Sequence, residues 1–350
     1  MLSERLKNLT PYIPGEQPED KKYIKLNTNE NPFPPSPDAR EILTNFDIDK
    51  LRRYPDPSCR KLRVKIAELN KIDEGNIFVG NGSDEILSLS FFSFFGKEAG
   101  NLFFPEFTYS FYPVYCCYYN IPYKKIGLNR DFSITMDPYL ENESGGIIIP
   151  NPNAPTGIEL PYKKIETLLE KYNRNRVVII DEAYIDFGAA SALSLTGKYR
   201  NLLIIRTLSK GYSLAGLRLG YAMGNKTLIN ALSIARDSFN SYPVDTISQE
   251  IAYSALASQD YYRKIHRRII SIRENFQQNL VDNGFSILPS KANFVFCRKK
   301  GFKGVEIYNF LRESGILVRH FDIQGIEDYI RISIGEENEM DLVISRLREL

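Results

Sequence analysis

The sequence predicts an α/β fold, in which helices cover both faces of a mostly parallel sheet, followed by a smaller α+β domain. Between residues 60 and 223, short apolar runs typical of buried strands alternate with stretches of helical periodicity. After about residue 241 the pattern changes to two long helical stretches and then to shorter strands and helices. The 350 residues suffice for one large and one smaller domain.

Charge and composition argue against several classes of protein. The formal net charge is +2, which does not favour a nucleic-acid surface. The two histidines and four cysteines lack the spacing of a metal site, and we interpret the cysteines as core residues of a reduced, cytoplasmic protein. The first residues lack the apolar core of a signal peptide, and the longest apolar stretch, residues 86–95, is too short to span a membrane.

The order of the elements gives the domain boundaries. Residues 1–37 are rich in proline and predict an extended arm. We assign residues 38–244 to the large domain, and the arm together with residues 245–350 to the small C-terminal domain. The predicted strands cover residues 77–79, 146–150, 177–180, 202–205, 219–223, 285–288, 292–297, 316–319 and 329–334. The predicted helices cover residues 60–69, 161–172, 245–257, 260–283, 305–314 and 337–350.

A glycine-rich turn, Gly80 to Gly82, follows the first strand and opens a helix. Free backbone N–H groups at such a helix start can bind an anion. Ser83 and Asp84, the next two residues, could instead serve only as helix caps. The turn lacks the glycine spacing of a dinucleotide-binding fingerprint, which argues against a nucleotide-dependent dehydrogenase.

Polar residues follow three of the predicted parallel strands. Asn151, Asp181 and Lys210 each come just after a strand end. Because ligands in such sheets bind beyond the carboxyl ends of the strands, we expect these residues to lie at one edge and share a site.

The stretch from Thr207 to Gly220 carries the predicted chemistry. Lys210 is flanked by Thr207 and Ser209, and Arg218 lies close in sequence. Two hydroxyls and one guanidinium suit a phosphate group. A lysine beside a bound phosphate indicates a Schiff base with pyridoxal phosphate, although a solvated loop lysine is the alternative. Displaced by a substrate amine, Lys210 would become the general base of a transamination.

Other residues complete this hypothetical cofactor site. Asp181 would pair with the protonated pyridine nitrogen, or else act as a helix cap or loop residue. Tyr184 could donate to the phenolic oxygen of the ring, and Tyr109 could stack on the ring. Ser83 and Asp84 would lie with Thr207, Ser209 and Arg218 among the cofactor-binding residues.

Two arginines stand out in the predicted small domain. Arg319 and Arg331 are flanked by apolar residues of predicted strands. Each could form a structural ion pair, or each could hold a phosphate or carboxylate of the substrate through a bidentate contact.

Several motifs together resemble the fold-type I pyridoxal phosphate aminotransferases, most closely the histidinol-phosphate aminotransferase group. Their order and spacing match over nearly the whole chain. The motifs are PYIPG (11–15), NENP (29–32), RYPD (53–56), GNGSDE (80–85), FTYSFY (107–112), NPNAPTG (151–157), DEAYIDF (181–187), TLSKGYSLAGLRLGY (207–221) and RISIG (331–335).

The resemblance implies a large domain with a mostly parallel seven-stranded sheet and a homodimer with a shared active site. Tyr54 would reach the cofactor phosphate of the other subunit, Tyr12 and Asn29 would line the substrate pocket, and Arg319 and Arg331 would hold the substrate. The implied reaction converts histidinol phosphate and 2-oxoglutarate into imidazole acetol phosphate and glutamate, in histidine biosynthesis. Alternatives are another small phosphorylated amine or ketone, a decarboxylase of an amino-acid phosphate, or a cofactor-binding module without turnover.

The chain departs from the family pattern at one position. The family usually has asparagine before Pro-Thr-Gly, where it donates to the phenolic oxygen of the cofactor, and this chain has Ala154. A hydrogen bond to a charged group contributes roughly 1.5–3 kcal/mol. We therefore expect a raised pKa of the Schiff base unless Tyr184 or a water compensates, and we expect Asn153 to point elsewhere.

Overall fold

The computed structural model describes residues 4–7, 9–18, 23–172 and 176–350. The arm predicted over residues 1–37 therefore lies partly outside the described residues. Its described parts include helix α1 (Glu4–Lys7) and strand β1 (Ile24–Lys25). β1 pairs in parallel with β11 (Ile316–Leu317), so the arm is joined by backbone hydrogen bonds to the C-terminal part of the chain.

A seven-stranded sheet forms the centre of the larger part of the molecule. Its strands are β2 (Ile77–Gly80), β3 (Leu102–Pro105), β4 (Tyr123–Ile126), β5 (Gly146–Pro150), β6 (Val178–Asp181), β7 (Leu202–Thr207) and β8 (Gly220–Gly224). The strand order is β2-β8-β7-β6-β5-β3-β4. β8 runs antiparallel to β2 and β7, and the other neighbouring pairs are parallel. The mostly parallel sheet predicted from the sequence is confirmed.

Helices cover both faces of this sheet, as the continuous apolar strands require. Ile147 and Ile149 of β5 face a core shared with α3 (Arg60–Asn70) and α7 (Tyr162–Tyr172). Ile148 faces the opposite core, which contains Ile86, Tyr112 and Leu232 from three other helices. Because successive side chains of a strand point to opposite faces, a strand buried on both sides needs apolar residues throughout. The remaining helices of the larger part are α2 (Pro37–Thr44), α4 (Gly82–Phe94), α5 (Phe111–Tyr119), α6 (Asp137–Glu141), α8 (Lys226–Asp237) and α9 (Thr246–Ala257).

The C-terminal part contains a smaller antiparallel sheet, which agrees with the predicted α+β unit. Its strand order is β12-β13-β10-β9, with β9 (Phe285–Ile287), β10 (Phe294–Lys299), β12 (Arg319–His320) and β13 (Ile330–Ser333). Apolar residues of three helices share a core with it, namely α10 (Gln259–Asp282), α11 (Gly304–Glu313) and α12 (Glu337–Leu347). The single strand predicted over 316–319 is wrong, because β11 pairs with the arm and β12 pairs with β13.

The division at residues 244 and 245 stays a prediction. Helix α9, which it assigns to the small domain, packs against α2 and α3. Its residues Ala252 and Ala255 belong to the same core as Ile147 of the large sheet.

Cysteine burial agrees only in part with the expectation of core residues. Cys59, Cys116 and Cys297 are buried, but Cys117, on α5, is exposed.

In the described part of the chain, no helix is both long enough and apolar enough to cross a membrane.

Candidate active site

A cavity of about 270 Å³ lies at the carboxyl edge of the large sheet, between this edge, the arm and the small sheet. Every residue to which the sequence analysis gave a cofactor or substrate role lines it except Tyr54. These residues are Tyr12, Asn29, Ser83, Asp84, Tyr109, Asp181, Tyr184, Thr207, Ser209, Lys210, Arg218, Arg319 and Arg331. The cavity forms here because β6 and β7 end side by side and the chain then turns away from the sheet.

Lys210 lies in the loop after β7 and extends into the cavity. Its Nζ donates to the backbone carbonyl of Thr28 at 2.8 Å. Burial lowers the pKa of Lys210 to about 8, and the nearby positive charge of Arg331 acts in the same direction. The amine is therefore close to half unprotonated at pH 8, which makes it a usable nucleophile and base.

Asp181 is the last residue of β6 and is 5% exposed. Its Oδ2 accepts a hydrogen bond from the Tyr112 hydroxyl at 3.0 Å, and its Oδ1 accepts one from the backbone N–H of Ala183 at 3.2 Å. Burial raises its pKa to about 6, and these two donors oppose that rise. Within the described chain it has no ion-pair partner, so the cavity offers a buried carboxylate to a cation.

Tyr184 follows β6 and forms the wall between Asp181 and the small sheet. Its hydroxyl oxygen accepts a hydrogen bond from Nδ2 of Asn29 at 2.9 Å. Its ring packs edge-on against Phe294, with centroids 5.1 Å apart. Burial raises the pKa of Tyr184, so the hydroxyl keeps its proton at neutral pH.

At one end of the cavity lie hydrogen-bond donors and a guanidinium group that could bind a phosphate. The start of α4 supplies backbone N–H groups at Ser83, and Thr207 donates to Ser209 at 2.9 Å between their hydroxyls. Arg218, in the left-handed region with φ 56°, pairs with Asp84 at 3.0 Å. Asp84 also accepts from the Tyr109 hydroxyl at 2.9 Å, so its carboxylate fixes two other groups of the site.

The opposite end contains two arginines without an acidic partner in the described parts of the chain. Arg331 donates to the backbone carbonyl of Asn27 at 3.0 Å, and its buried Nε has no partner among the described residues. Arg319 makes long contacts, 3.4 and 3.5 Å, with the carbonyls of Ile13 and Pro14. Phe321 lies 5.5 Å from the Arg331 guanidinium. The structural ion pairs considered from the sequence are not seen there, and two guanidinium groups are left to receive an anion.

Two tyrosines of the N-terminal region take different positions. The Tyr12 ring lies against Phe111, with centroids 5.0 Å apart, at the wall of the cavity. Tyr54 is 81% exposed and stacks on Tyr242 at 4.6 Å. It takes no part in lining the cavity of its own chain, and its expected role toward another subunit stays a prediction.

The segment 151–157 leaves an apolar residue at the cavity. Ala154 lines the cavity and supplies no donor. Asn153 is buried and donates to the Phe107 carbonyl at 2.9 Å and to Thr156 at 3.1 Å, so its side chain is directed away from the cavity, as expected. Asn151 bonds in both directions with the backbone of Leu160 and does not reach the cavity either.

Sequence reasoning missed three residues of the site. Tyr112 is the hydroxyl donor to Asp181, Thr28 receives Lys210, and Phe321 lies over the arginines. Tyr112 lies in the first turn of α5 and Tyr109 comes before this helix, and the aromatic residues around both hid the role of Tyr112 in the sequence. Thr28 acts through its backbone, which no side-chain pattern reveals.

The chain is similar to known proteins over nearly its whole length. The family model for aminotransferase class I and II matches residues 21–347. Over its whole length the chain is 53% identical to a histidinol-phosphate aminotransferase of Syntrophus aciditrophicus, covering 98% of that protein. It is 46% identical to one from Chromohalobacter salexigens, covering 99% of this chain and 97% of that protein.

A solved structure extends the comparison to the fold. The histidinol-phosphate aminotransferase of Sinorhizobium meliloti, in complex with pyridoxal-5'-phosphate, superimposes with a TM-score of 0.88. The match covers 99% of this chain and 96% of that chain at 23% identity, so it supports a shared fold alone.

Within the described residues, no cluster of histidine, cysteine or acidic side chains could hold a metal ion.

Proposed function

This chain belongs to the class I and II aminotransferases, and we propose that it is a pyridoxal phosphate-dependent histidinol-phosphate aminotransferase. It would transfer the amino group of histidinol phosphate to 2-oxoglutarate, giving imidazole acetol phosphate and glutamate in histidine biosynthesis. The main support is the position of Lys210, whose pKa is lowered, between groups that suit a phosphate and two arginines that have no acidic partner among the described residues. Full-length relatives with this name support the substrate.

The side chains present fit pyridoxal phosphate. The buried Asp181 carboxylate has no ion-pair partner within the described chain, and the pyridinium of the cofactor would supply the opposite charge. Backbone N–H groups at Ser83, two hydroxyls and Arg218 suit the phosphate. When bound, the cofactor supplies an electron sink that stabilises negative charge on the substrate carbon.

The residues of the chain would then position groups and move protons. Lys210 Nζ, partly neutral near pH 8, is placed to remove the proton from the amine-bearing carbon of the substrate. Tyr109 would stack on one face of the cofactor ring. Asp84 holds Tyr109 in place by accepting a hydrogen bond from its hydroxyl.

Arg319 and Arg331 would serve both half-reactions. Histidinol phosphate carries a phosphate and 2-oxoglutarate a distal carboxylate, and a guanidinium fork binds either group through paired hydrogen bonds. Arg331 is held in place by Asn27, whereas Arg319 makes only long contacts with arm carbonyls that an anion could replace. Tyr12 would close the pocket from the arm.

We further propose a cytoplasmic homodimer. Tyr54, Ile48 and Phe239 are large apolar residues that are 81%, 69% and 85% exposed. Tyr54 stacks on Tyr242 in the same region of the surface. Burial of such a surface against a second copy would stabilise the assembly and could bring Tyr54 to the neighbouring cavity.

A single-turnover experiment tests the proposed activity. Protein loaded with pyridoxal phosphate receives histidinol phosphate without a keto acid, and the products are quantified by mass spectrometry. We expect one imidazole acetol phosphate per site, and glutamate once 2-oxoglutarate is added, with no turnover in the matched Lys210→Ala protein. Release of CO₂ would indicate a decarboxylase instead. Conversion of other small phosphorylated amines alone would leave an aminotransferase but exclude the named substrate.

A further inference from the structure

Asn29 lies at the junction of the arm, the small sheet and the cavity, and it is 1% exposed. Its backbone has φ 57°, a left-handed conformation that asparagine tolerates better than most residues. The backbone N–H of Asn29 donates to Ser333 Oγ at 2.9 Å, and its carbonyl accepts from Asn293 at 3.0 Å. The backbone of Asn29 is therefore held on one side by β13 of the small sheet and on the other by the loop that precedes β10.

The direction of the hydrogen bonds is fixed along this network. Ser333 Oγ accepts the Asn29 backbone N–H, and its own proton goes to Asn29 Oδ1 at 3.0 Å. With Oδ1 turned to Ser333, the amide presents Nδ2 to the Tyr184 hydroxyl at 2.9 Å. An amide nitrogen can only donate, so the Tyr184 oxygen is the acceptor and its single proton must point elsewhere.

We propose that Asn29 is a positioning residue that makes Tyr184 a one-way hydrogen-bond donor into the cavity, aimed at the phenolic oxygen of the cofactor. This inference rests on the proposed function. The sequence analysis expected Asn29 to line the substrate pocket, whereas this inference gives Asn29 a role through Tyr184.

Tyr184 matters as a donor because neighbouring residues of the cavity wall cannot donate a hydrogen bond from their side chains. Ala154 and Ala183 also line the cavity and supply no side-chain donor. Tyr184 keeps its proton at neutral pH because burial raises its pKa, while the Arg331 charge and the Asn29 bond act in the opposite direction. A hydroxyl that already accepts a hydrogen bond is a stronger donor through its own proton.

Loss of the Asn29 amide should change how the absorbance of the loaded protein depends on pH. The absorbance of bound pyridoxal phosphate changes with pH as the nitrogen that links it to Lys210 loses its proton. Donation to the phenolic oxygen draws charge away from that nitrogen and lowers its pKa, so a weaker Tyr184 donor raises it. The titratable and charged groups that surround Tyr184 and Lys210 are Tyr12, Lys25, Glu30, Asp84, Asp181 and Arg331.

The test compares Asn29→Gly with wild type by absorbance titration of the loaded protein. Glycine adopts φ 57° without strain and keeps the backbone bonds to Ser333 and Asn293, so this variant removes only the amide. We expect the pKa of the bound cofactor to rise by roughly 0.5–1 unit. Ser333→Ala, which keeps the amide but frees its orientation, should give a smaller rise.

A double-mutant cycle with Tyr184→Phe separates positioning from general damage. If Asn29 acts through Tyr184, Asn29→Gly should leave the pKa unchanged in the Tyr184→Phe background. An equal shift in both backgrounds, no shift in either, or an equal shift from Asn293→Ala, which loosens only the backbone, would overturn the inference. A wild-type protein whose bound pyridoxal phosphate shows no band dependent on Lys210 would instead contradict the proposed function.

Discussion

At the scale of single residues, the site depends on burial that shifts the ionisation of two opposite groups. Burial lowers the pKa of Lys210 to about 8 and raises that of Asp181 to about 6. Both shifts disfavour the charged form in the unloaded protein. A cofactor that reacts with the amine and presents a cation to the carboxylate would relieve both costs at once.

Tyr112 allows a test of the carboxylate. Below about pH 6 Asp181 becomes protonated and loses its attraction for a pyridinium, so we expect affinity for pyridoxal phosphate to fall there. Tyr112→Phe removes a donor that stabilises the charged form, and should move this fall upward by about one pH unit. The measurement is the dissociation constant at each pH. Tyr115→Phe, which removes only a bond to the Asp84 carbonyl, is the control and should match wild type.

At the scale of elements, the ends of neighbouring strands are held in register beside the cavity. Glu182, directly after β6, forms a buried ion pair with Arg206 of β7 at 2.8 Å, and it also accepts from Ser191. Gly220 at the start of β8 lies against the first turn of α4, where a Cβ would be 2.6 Å from the Ser83 nitrogen. Glycine there allows the start of α4, the proposed anion site, to approach the sheet.

Substitution of Gly220 should disturb this approach. In Gly220→Ala the added methyl meets only backbone atoms, of Ser83, Gly82 and Arg206, so either α4 or β8 must move. We expect a loss of about 2 kcal/mol of stability in chemical denaturation and weaker binding of pyridoxal phosphate. The control is Gly216→Ala, because nothing lies within 4 Å of a Cβ at Gly216. If the two variants behave alike, close approach at Gly220 has no role.

The sequence predicts elements better than it predicts contacts between them. The apolar runs of β5, β6 and β7 and the polar residues at their ends were sufficient to place Asp181 and Lys210 at one edge. No local pattern, however, could show that Asn29 meets Ser333, or that β11 pairs with the arm, since each contact joins opposite ends of the chain. Tyr112 was hidden for another reason, because aromatic residues surround it and all suit a core.

At the scale of the whole molecule, the unloaded protein bears an electrostatic cost for its function. The folded-state pKa of Lys210 lies below that of a free lysine, so the unfolded chain binds more protons between about pH 8 and 10.5. The cost is therefore fully present below pH 8 and is lost as the pH rises toward 10.5. Sites arranged for chemistry commonly reduce stability in this way.

Replacement of this lysine should stabilise the unloaded protein. We expect Lys210→Met to increase the free energy of unfolding by about 1–2 kcal/mol at pH 7, with the gain declining above pH 8. Urea denaturation of cofactor-free protein measures it. Lys300→Met, at an exposed lysine after β10, should show no comparable gain. A less stable Lys210→Met protein at pH 7 would show that burial of this amine carries no cost.

The proposed dimer can be tested through its active site. If Tyr54 acts in the neighbouring cavity, a protein made inactive by Lys210→Ala and one weakened by Tyr54→Phe should regain activity when their subunits are exchanged. Each hybrid dimer would then contain one cavity with both residues intact. Hybrids that recover nothing, or a protein that sediments as a monomer, would contradict the shared site.

The lysine to which pyridoxal phosphate attaches identifies the active site. Loaded protein is reduced with borohydride, digested, and analysed by mass spectrometry to find the lysine that carries the cofactor. We expect the modification on Lys210, at about one site per chain, and its absence in Lys210→Ala. Modification of another lysine, or none, would contradict the assignment of this cavity as the active site.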